Sequence, residues 1–151
     1  MKPISQKQKI LFRMATVVYG LLLLYVLFLR SIGADYAWTY REYLCAMSNF
    51  VPLKSVYILL TTPVISTSIV LRFLINFVGN ILLFVPWGIL FPFYFKGLNS
   101  FKKFITTTLT AILLIEAIQL FAMLGSFDIE DILLNGIGAC LGYLFYRKLC
   151  Q

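Results

Sequence analysis

The chain contains no histidine, which removes the commonest general base and transition-metal ligand from any chemistry it could perform. Charged residues make up only 13% of its 151 positions, and six acidic side chains stand against thirteen Lys and Arg; a soluble domain carries about 25% charged residues. Its three cysteines, Cys45, Cys140 and Cys150, share neither compartment nor depth, so no internal disulfide is expected. There is no glycine-rich phosphate loop, internal repeat or low-complexity segment, and no sequence pattern calls for a cofactor or a resident metal.

What the chain has instead is apolar surface, with 61% hydrophobic and 17% aromatic residues, the composition of an integral membrane protein. Four runs, 14–31, 72–95, 104–124 and 129–146, approach the roughly 20 residues that cross a hydrocarbon core about 30 Å thick. Their apolar residues are continuous, with no period-two alternation, so the backbone must satisfy itself as helix rather than as barrel strand. The expected fold class is all-α: one domain over 1–151, an integral membrane bundle of four transmembrane helices. The first run exceeds the about 7–15 residues of a signal-peptide core and is read as a retained anchor, although Gly33-Ala34 follows it.

Basic residues set the orientation. Lys2, Lys7, Lys9 and Arg13 precede the first span, Lys96, Lys102 and Lys103 join the second and third, and Arg147 and Lys148 follow the fourth, so both termini are expected in the cytoplasm. The turn 125–129, with Asp128, and the stretch 32–71, with Asp35, Arg41, Glu42 and Lys54, belong outside. Residues 55–71 are moderately apolar but contain Pro63 and the hydroxyls of Thr61, Thr62, Ser66, Thr67 and Ser68. A fifth span there would export Lys96, Lys102 and Lys103, so an interfacial or re-entrant outer segment is expected. Loop topology and anionic headgroups account for the net charge of +7, making membrane lipids, not nucleic acid, the expected partners.

Polar residues inside the spans fall at matching depth. At a rise of 1.5 Å per residue, Asn76 and Asn80 lie about 6 and 12 Å below the outer end of the second span, Gln119 and Glu116 about 8 and 12 Å below that of the third, and Asp131 and Asn135 about 3 and 9 Å inside the fourth. Within each pair the separation is three or four, which places both members on one helical face. A carboxylate such as Glu116 near the bilayer centre costs about 2.5–3.5 kcal/mol on insertion scales, so it should face the bundle. These residues, with Asp128 at the outer turn, define an outward-opening polar pocket. For the amides, plain interhelical hydrogen bonding averaging about 0.6 kcal/mol is an equal alternative; an ionised carboxylate is an expensive tie where Ser or Asn would serve. Pro86 and Gly88 predict a kink below Asn80 or close packing, and Gly138 and Gly142 form a small-residue face for helix contact.

These residues also form recognisable blocks. Asn76-Phe77-Val78-Gly79-Asn80-Ile81-Leu82-Leu83-Phe84-Val85-Pro86-Trp87-Gly88 resembles the central motif of the VanZ-like family, and Asn49-Phe50-Val51-Pro52 resembles the shorter motif before it. Glu116-Ala117-Ile118-Gln119 resembles its Glu-x-x-Gln, and Asp128, Asp131, Asn135 and Gly138 stand at the spacing of its Asp-x-x-Asp-x-x-x-Asn-x-x-Gly block. The resemblance covers roughly residues 10–147. It departs at Met123-Leu124-Gly125-Ser126, where the family often carries an arginine before the first aspartate; Arg72 is the candidate substitute.

The resemblance implies a multi-pass protein of the bacterial plasma membrane, of a family named for resistance to teicoplanin, a lipidated glycopeptide acting at the outer face. The expectation is a non-catalytic protein that lowers sensitivity to such drugs by engaging either the lipoglycopeptide or a lipid-linked cell-wall precursor at the carboxylate pocket. The alternative is an intramembrane enzyme acting on an envelope lipid or precursor, with one carboxylate as base and another as acid or as ligand to a divalent cation. No nucleophile with an adjacent base is evident, so catalysis is the lesser reading. A small carrier using Glu116 is weaker still, because four helices rarely enclose an alternating-access path.

Overall fold

A computed structural model describes residues 6–29, 37–63, 66–98 and 100–150. Lys2, Asp35 and Gly33-Ala34, used above, lie outside them. The chain is built almost wholly of helices: α1 (Gln6–Leu24), which continues as a π-helical turn over Tyr25–Leu29; the short α2 (Tyr40–Ala46) and α3 (Lys54–Thr61); then α4 (Thr67–Tyr94), α5 (Phe101–Phe121) and α6 (Ile129–Cys150). A 3₁₀ turn, Lys96–Leu98, links α4 to α5.

Among the described residues three helical stretches are long and apolar enough to cross a membrane, Phe12–Leu29, Thr67–Tyr94 and Phe101–Phe121. Helix α6 is of similar length, but Glu130, Asp131, Asn135 and its glycines leave it less apolar than these. Large side chains such as Val17, Leu21, Leu82, Leu114 and Leu144 point outward and are exposed. That inversion of the soluble pattern suits helices solvated by lipid.

The core lies between α4, α5 and α6, where Phe84, Phe104, Ile112, Ala139 and Tyr143 are buried together. Phe104 and Tyr143 stack with ring centroids 4.5 Å apart, and Trp87 donates from Nε1 to the buried Thr108 hydroxyl at 3.3 Å. Helices α4 and α6 meet backbone to backbone. A Cβ on Gly138 would strike the Ile81 carbonyl, one on Gly142 the Val85 carbonyl, and one on Gly88 the Ala139 carbonyl. Gly88 therefore serves close packing, while Gly79 on the same helix faces open space. Helix α4 is continuous through Pro86 and Pro92.

Helix α1 lies along α4 through side chains: the Tyr19 hydroxyl donates to the Leu83 carbonyl at 2.9 Å, and Phe12 packs on Phe93 with ring centroids 4.7 Å apart. Between α1 and α4 the described residues form two short helices. A capping box starts α2, in which Glu42 receives the backbone N–H of Thr39 and also its hydroxyl, which together hold the Glu42 carboxyl below its ordinary value. After α2 comes the one strand pairing among the described residues, a two-residue parallel bridge pairing Ser48 with Phe127 and Asn49 with Asp128.

Candidate functional site

Each helix brings its polar residues to one place because they share a face. On α4, Arg72, Asn76 and Asn80 recur every fourth residue and so stack along one stripe. The carboxylate of Asp131 on α6 accepts from both Asn80 Nδ2 and, at 3.4 Å, Asn76 Nδ2 through the same oxygen, Oδ1. The glycine contacts between α4 and α6 bring the two stripes within reach of each other.

Helix α5 contributes Glu116, which is 2% exposed and accepts the backbone N–H of Asp128 on Oε2 at 3.2 Å. Gln119 donates from Nε2 to the Leu27 carbonyl at 2.7 Å. Leu27 sits in the π turn of α1, where the wider winding breaks the regular ladder and leaves a carbonyl for an outside donor. Helix α5 ends in a Schellman motif, with Met123 N–H bonded to the Leu120 carbonyl and Leu124 N–H to the Gln119 carbonyl. Met123 occupies the left-handed position, φ 56°, where glycine is the usual residue. This turn swings Leu124, Gly125 and Ser126 over the ends of the polar stripes.

The result is a cavity of about 630 Å³ bordered by α1, α4, α5, α6 and that turn. Six of the seven residues singled out from sequence line it: Asn76, Asn80, Glu116, Gln119, Asp131 and Asn135. Arg72 lines it too, so a basic residue of α4 borders the same cavity as the carboxylates.

Asp128, the seventh, is not among the lining residues. Its Oδ1 accepts the Glu130 backbone N–H at 2.8 Å, closing the first turn of α6, and Asn49 Nδ2 at 3.0 Å. Asp128 thus fastens the outer segment to the turn between α5 and α6. The hydroxyl of the buried Tyr43 reinforces the clasp by donating to the Gly125 carbonyl, and Phe127 N–H adds a bond to the Met47 carbonyl at 2.9 Å.

Two contributors escaped the reading of the sequence. Asn49 was seen only as part of a family motif, and its partner is 79 residues away. Glu130 stood unremarked between two aspartates, yet it is 1% exposed and its Oε2 accepts the Ser55 N–H at 3.1 Å at the start of α3, where Leu53 offers no side-chain cap. The signal available was the acidic run itself, since a third carboxylate in that turn cannot share the face used by Asp128 and Asp131.

Chemically, the cavity can hold a polar group by hydrogen bonds and offset charge of either sign. Among the described residues no group of three or more His, Cys, Asp or Glu is arranged to hold a metal ion.

The profile of the VanZ/LLP1 family matches residues 16–151. Protein VanZ of Enterococcus faecium is 33% identical over 69 residues, which is 46% of this chain and 42% of that protein, so the alignment spans less than half of the relative. No solved structure matches. The family match runs from within the first apolar helix through α6 and takes in every residue lining the cavity and the Asn49–Asp128 clasp; the chain belongs to the VanZ/LLP1 family.

Proposed function

We propose that this protein lowers bacterial sensitivity to teicoplanin and related lipidated glycopeptides by engaging the drug, or the lipid-linked cell-wall precursor it targets, at the polar cavity. The observation that carries the reading is the gathering of Asn76, Asn80, Glu116, Gln119, Asp131 and Asn135 around one cavity inside a bundle whose outer surface is apolar. Amides and carboxylates buried in such a bundle are costly unless they face a cavity or one another.

In this reading α6 is the fourth span. Its 22 residues extend about 33 Å, and its backbone contact with α4 turns its polar residues inward. The basic ends, Arg13, Lys102, Lys103, Arg147 and Lys148, face the cytoplasm with both termini, and the cavity opens to the outer leaflet. Helices α2 and α3 lie at the outer interface, held to the α5–α6 turn by the Asn49–Asp128 and Ser55–Glu130 bonds.

The test is drug sensitivity in a susceptible Gram-positive host expressing wild type, Glu116→Gln or Asp131→Asn at equal membrane levels, with vancomycin, which lacks the lipid tail, as control. Wild type should protect against teicoplanin and both variants should lose that protection. Unchanged protection by both variants would remove the cavity from the mechanism, and no protection by wild type would remove the drug.

A second reading, an intramembrane enzyme acting on an envelope lipid, draws on the presence of Glu116 and Asp131 in the same cavity, since paired carboxylates can divide acid and base roles. It requires turnover of a lipid-linked precursor by the purified protein, abolished by Glu116→Gln.

A further inference from the structure

The donors and acceptors of the cavity are unevenly spent. Asn76 and Asn80 direct their amide N–H groups to Asp131 Oδ1, and Gln119 directs its own to the Leu27 carbonyl. Glu116 is bonded through Oε2 alone, to the Asp128 backbone. This leaves Glu116 Oε1 and Asp131 Oδ2 as acceptors at the inner end. Beside them Asn135, 2% exposed, has a buried Oδ1 with no hydrogen-bond partner. A buried acceptor without a donor is unfavourable, and an arriving O–H or N–H relieves it.

The outer end has the opposite character. Arg72 is the one cation among the lining residues and lies two turns above Asn80 on the same face, about 12 Å along the helix. A guanidinium pairs best with a planar or tetrahedral oxyanion such as phosphate. Ile75, 60% exposed, borders the cavity between Arg72 and Asn76, so the polar space opens directly onto lipid-facing surface.

We propose that the cavity binds a phosphate-bearing lipid headgroup that also carries hydroxyl or ammonium donors, with the phosphate on Arg72 and the donors on Asn135 Oδ1, Glu116 and Asp131. The proposal rests on the reading of this cavity as the functional site and adds the chemistry of what enters it. A phosphate without donors satisfies only the outer end, and a donor-bearing lipid without phosphate satisfies only the inner end. The cavity volume lies within the range of about 300–1,000 Å³ usual for small-ligand sites.

The experiment is lipid retention by the purified full-length chain, read by native mass spectrometry in a mild detergent. The probes are phosphatidylglycerol and phosphatidylethanolamine (phosphate plus donors), phosphatidic acid (phosphate alone) and a monoglucosyl diacylglycerol (donors alone), with soluble glycerol phosphate as competitor. Wild type should retain the first two about tenfold better than either of the others. Arg72→Gln should remove that advantage over the glucolipid. Asn135→Leu should remove the advantage over phosphatidic acid, while Asn135→Asp, which keeps an acceptor and the shape, should preserve it. Displacement by glycerol phosphate would identify the headgroup alone as ligand; failure to displace would assign the acyl chains a share, and both results are consistent with the proposal only if the selectivity holds.

Equal retention of all four lipids by wild type, or a selectivity that survives Arg72→Gln and Asn135→Leu alike, overturns it. Headgroup selectivity is read on purified protein and drug protection in cells. Selective binding without drug protection leaves this inference standing and removes teicoplanin, whereas protection lost in Glu116→Gln but without headgroup selectivity does the reverse.

Discussion

Replacing Gly142 by alanine should destabilise the bundle far more than the same change at Gly79, although both glycines belong to helices that border the cavity. A Cβ at 142 meets the Val85 carbonyl, with its carbon 3.0 Å away, and Gly88 Cα at 2.9 Å. Comfortable carbon contacts are about 3.5–4.0 Å and the carbonyl oxygen stands closer than either carbon, so α4 and α6 must part by about 1 Å or more at that level. The obstacle is backbone on both helices, so no rotamer change relieves it, and the cost should reach about 2–3 kcal/mol, the upper part of the range for overpacking. At Gly79 nothing lies within 4 Å of the added carbon, and alanine in a helix gains about 0.5–1 kcal/mol over glycine. The two variants should therefore differ by about 3 kcal/mol. Equilibrium unfolding in mixed micelles, followed by circular dichroism, measures the difference. Coincident transitions for Gly142→Ala and Gly79→Ala would refute the backbone contact between α4 and α6, and with it the alignment of Asn80 with Asp131.

Other expectations concern the outer segment. Tyr43→Phe deletes the bond to the Gly125 carbonyl and should cost about 1–3 kcal/mol by the same unfolding assay, since that carbonyl is left without its donor. Asn49→Ala and Asp128→Ala should be non-additive, with a coupling of about 0.5–2 kcal/mol in a double-mutant cycle, whereas Asn49→Ala and Gly142→Ala should add. Met123→Gly should stabilise by about 1 kcal/mol, because the left-handed position in the Schellman turn penalises a side chain. The Glu42 carboxyl is held below its ordinary value of 4.5 by bonds from Thr39, so its folded-state pKa is depressed and the cap of α2 contributes fully above that value. That contribution is lost as pH falls through the lower folded value. Hydrogen exchange in Tyr40–Ala46, corrected for intrinsic rates, should accelerate on that acid side, and Thr39→Ala should remove the transition.

Much of this arrangement follows from local pattern. The apolar runs specified helices because lipid leaves the backbone no other partner, and spacings of three and four put Asn76 with Asn80, Glu116 with Gln119, and Asp131 with Asn135 on single faces. Three such faces at matching depth converge once the helices pack, which is why six residues named from sequence meet in one cavity. Asp128 was grouped with them as a carboxylate of the adjoining turn. It sits instead in the extended link ahead of α6, where helical spacing no longer governs its direction.

Its partner, Asn49, lies 79 residues away, and the Ser55–Glu130 bond spans 75 residues. A two-residue bridge has no period to read. The division of labour among the glycines was similarly hidden: Gly79 and Gly88 are alike in sequence, and only the crossing point of α6 makes one a contact and the other open space. The π turn of α1, whose Leu27 carbonyl takes the Gln119 amide, likewise has no periodic signal in Tyr25–Leu29.

The measurement that bears most directly on the central claim is cysteine accessibility in intact cells. In a background with Cys45, Cys140 and Cys150 replaced, single cysteines at Asn76, Ser126 and Lys103 would be exposed to a membrane-impermeant maleimide before and after permeabilisation. An outward-opening cavity predicts labelling at 76 and 126 from outside and at 103 only after permeabilisation. Labelling at 103 from outside, with 76 and 126 reached only from within, would contradict it.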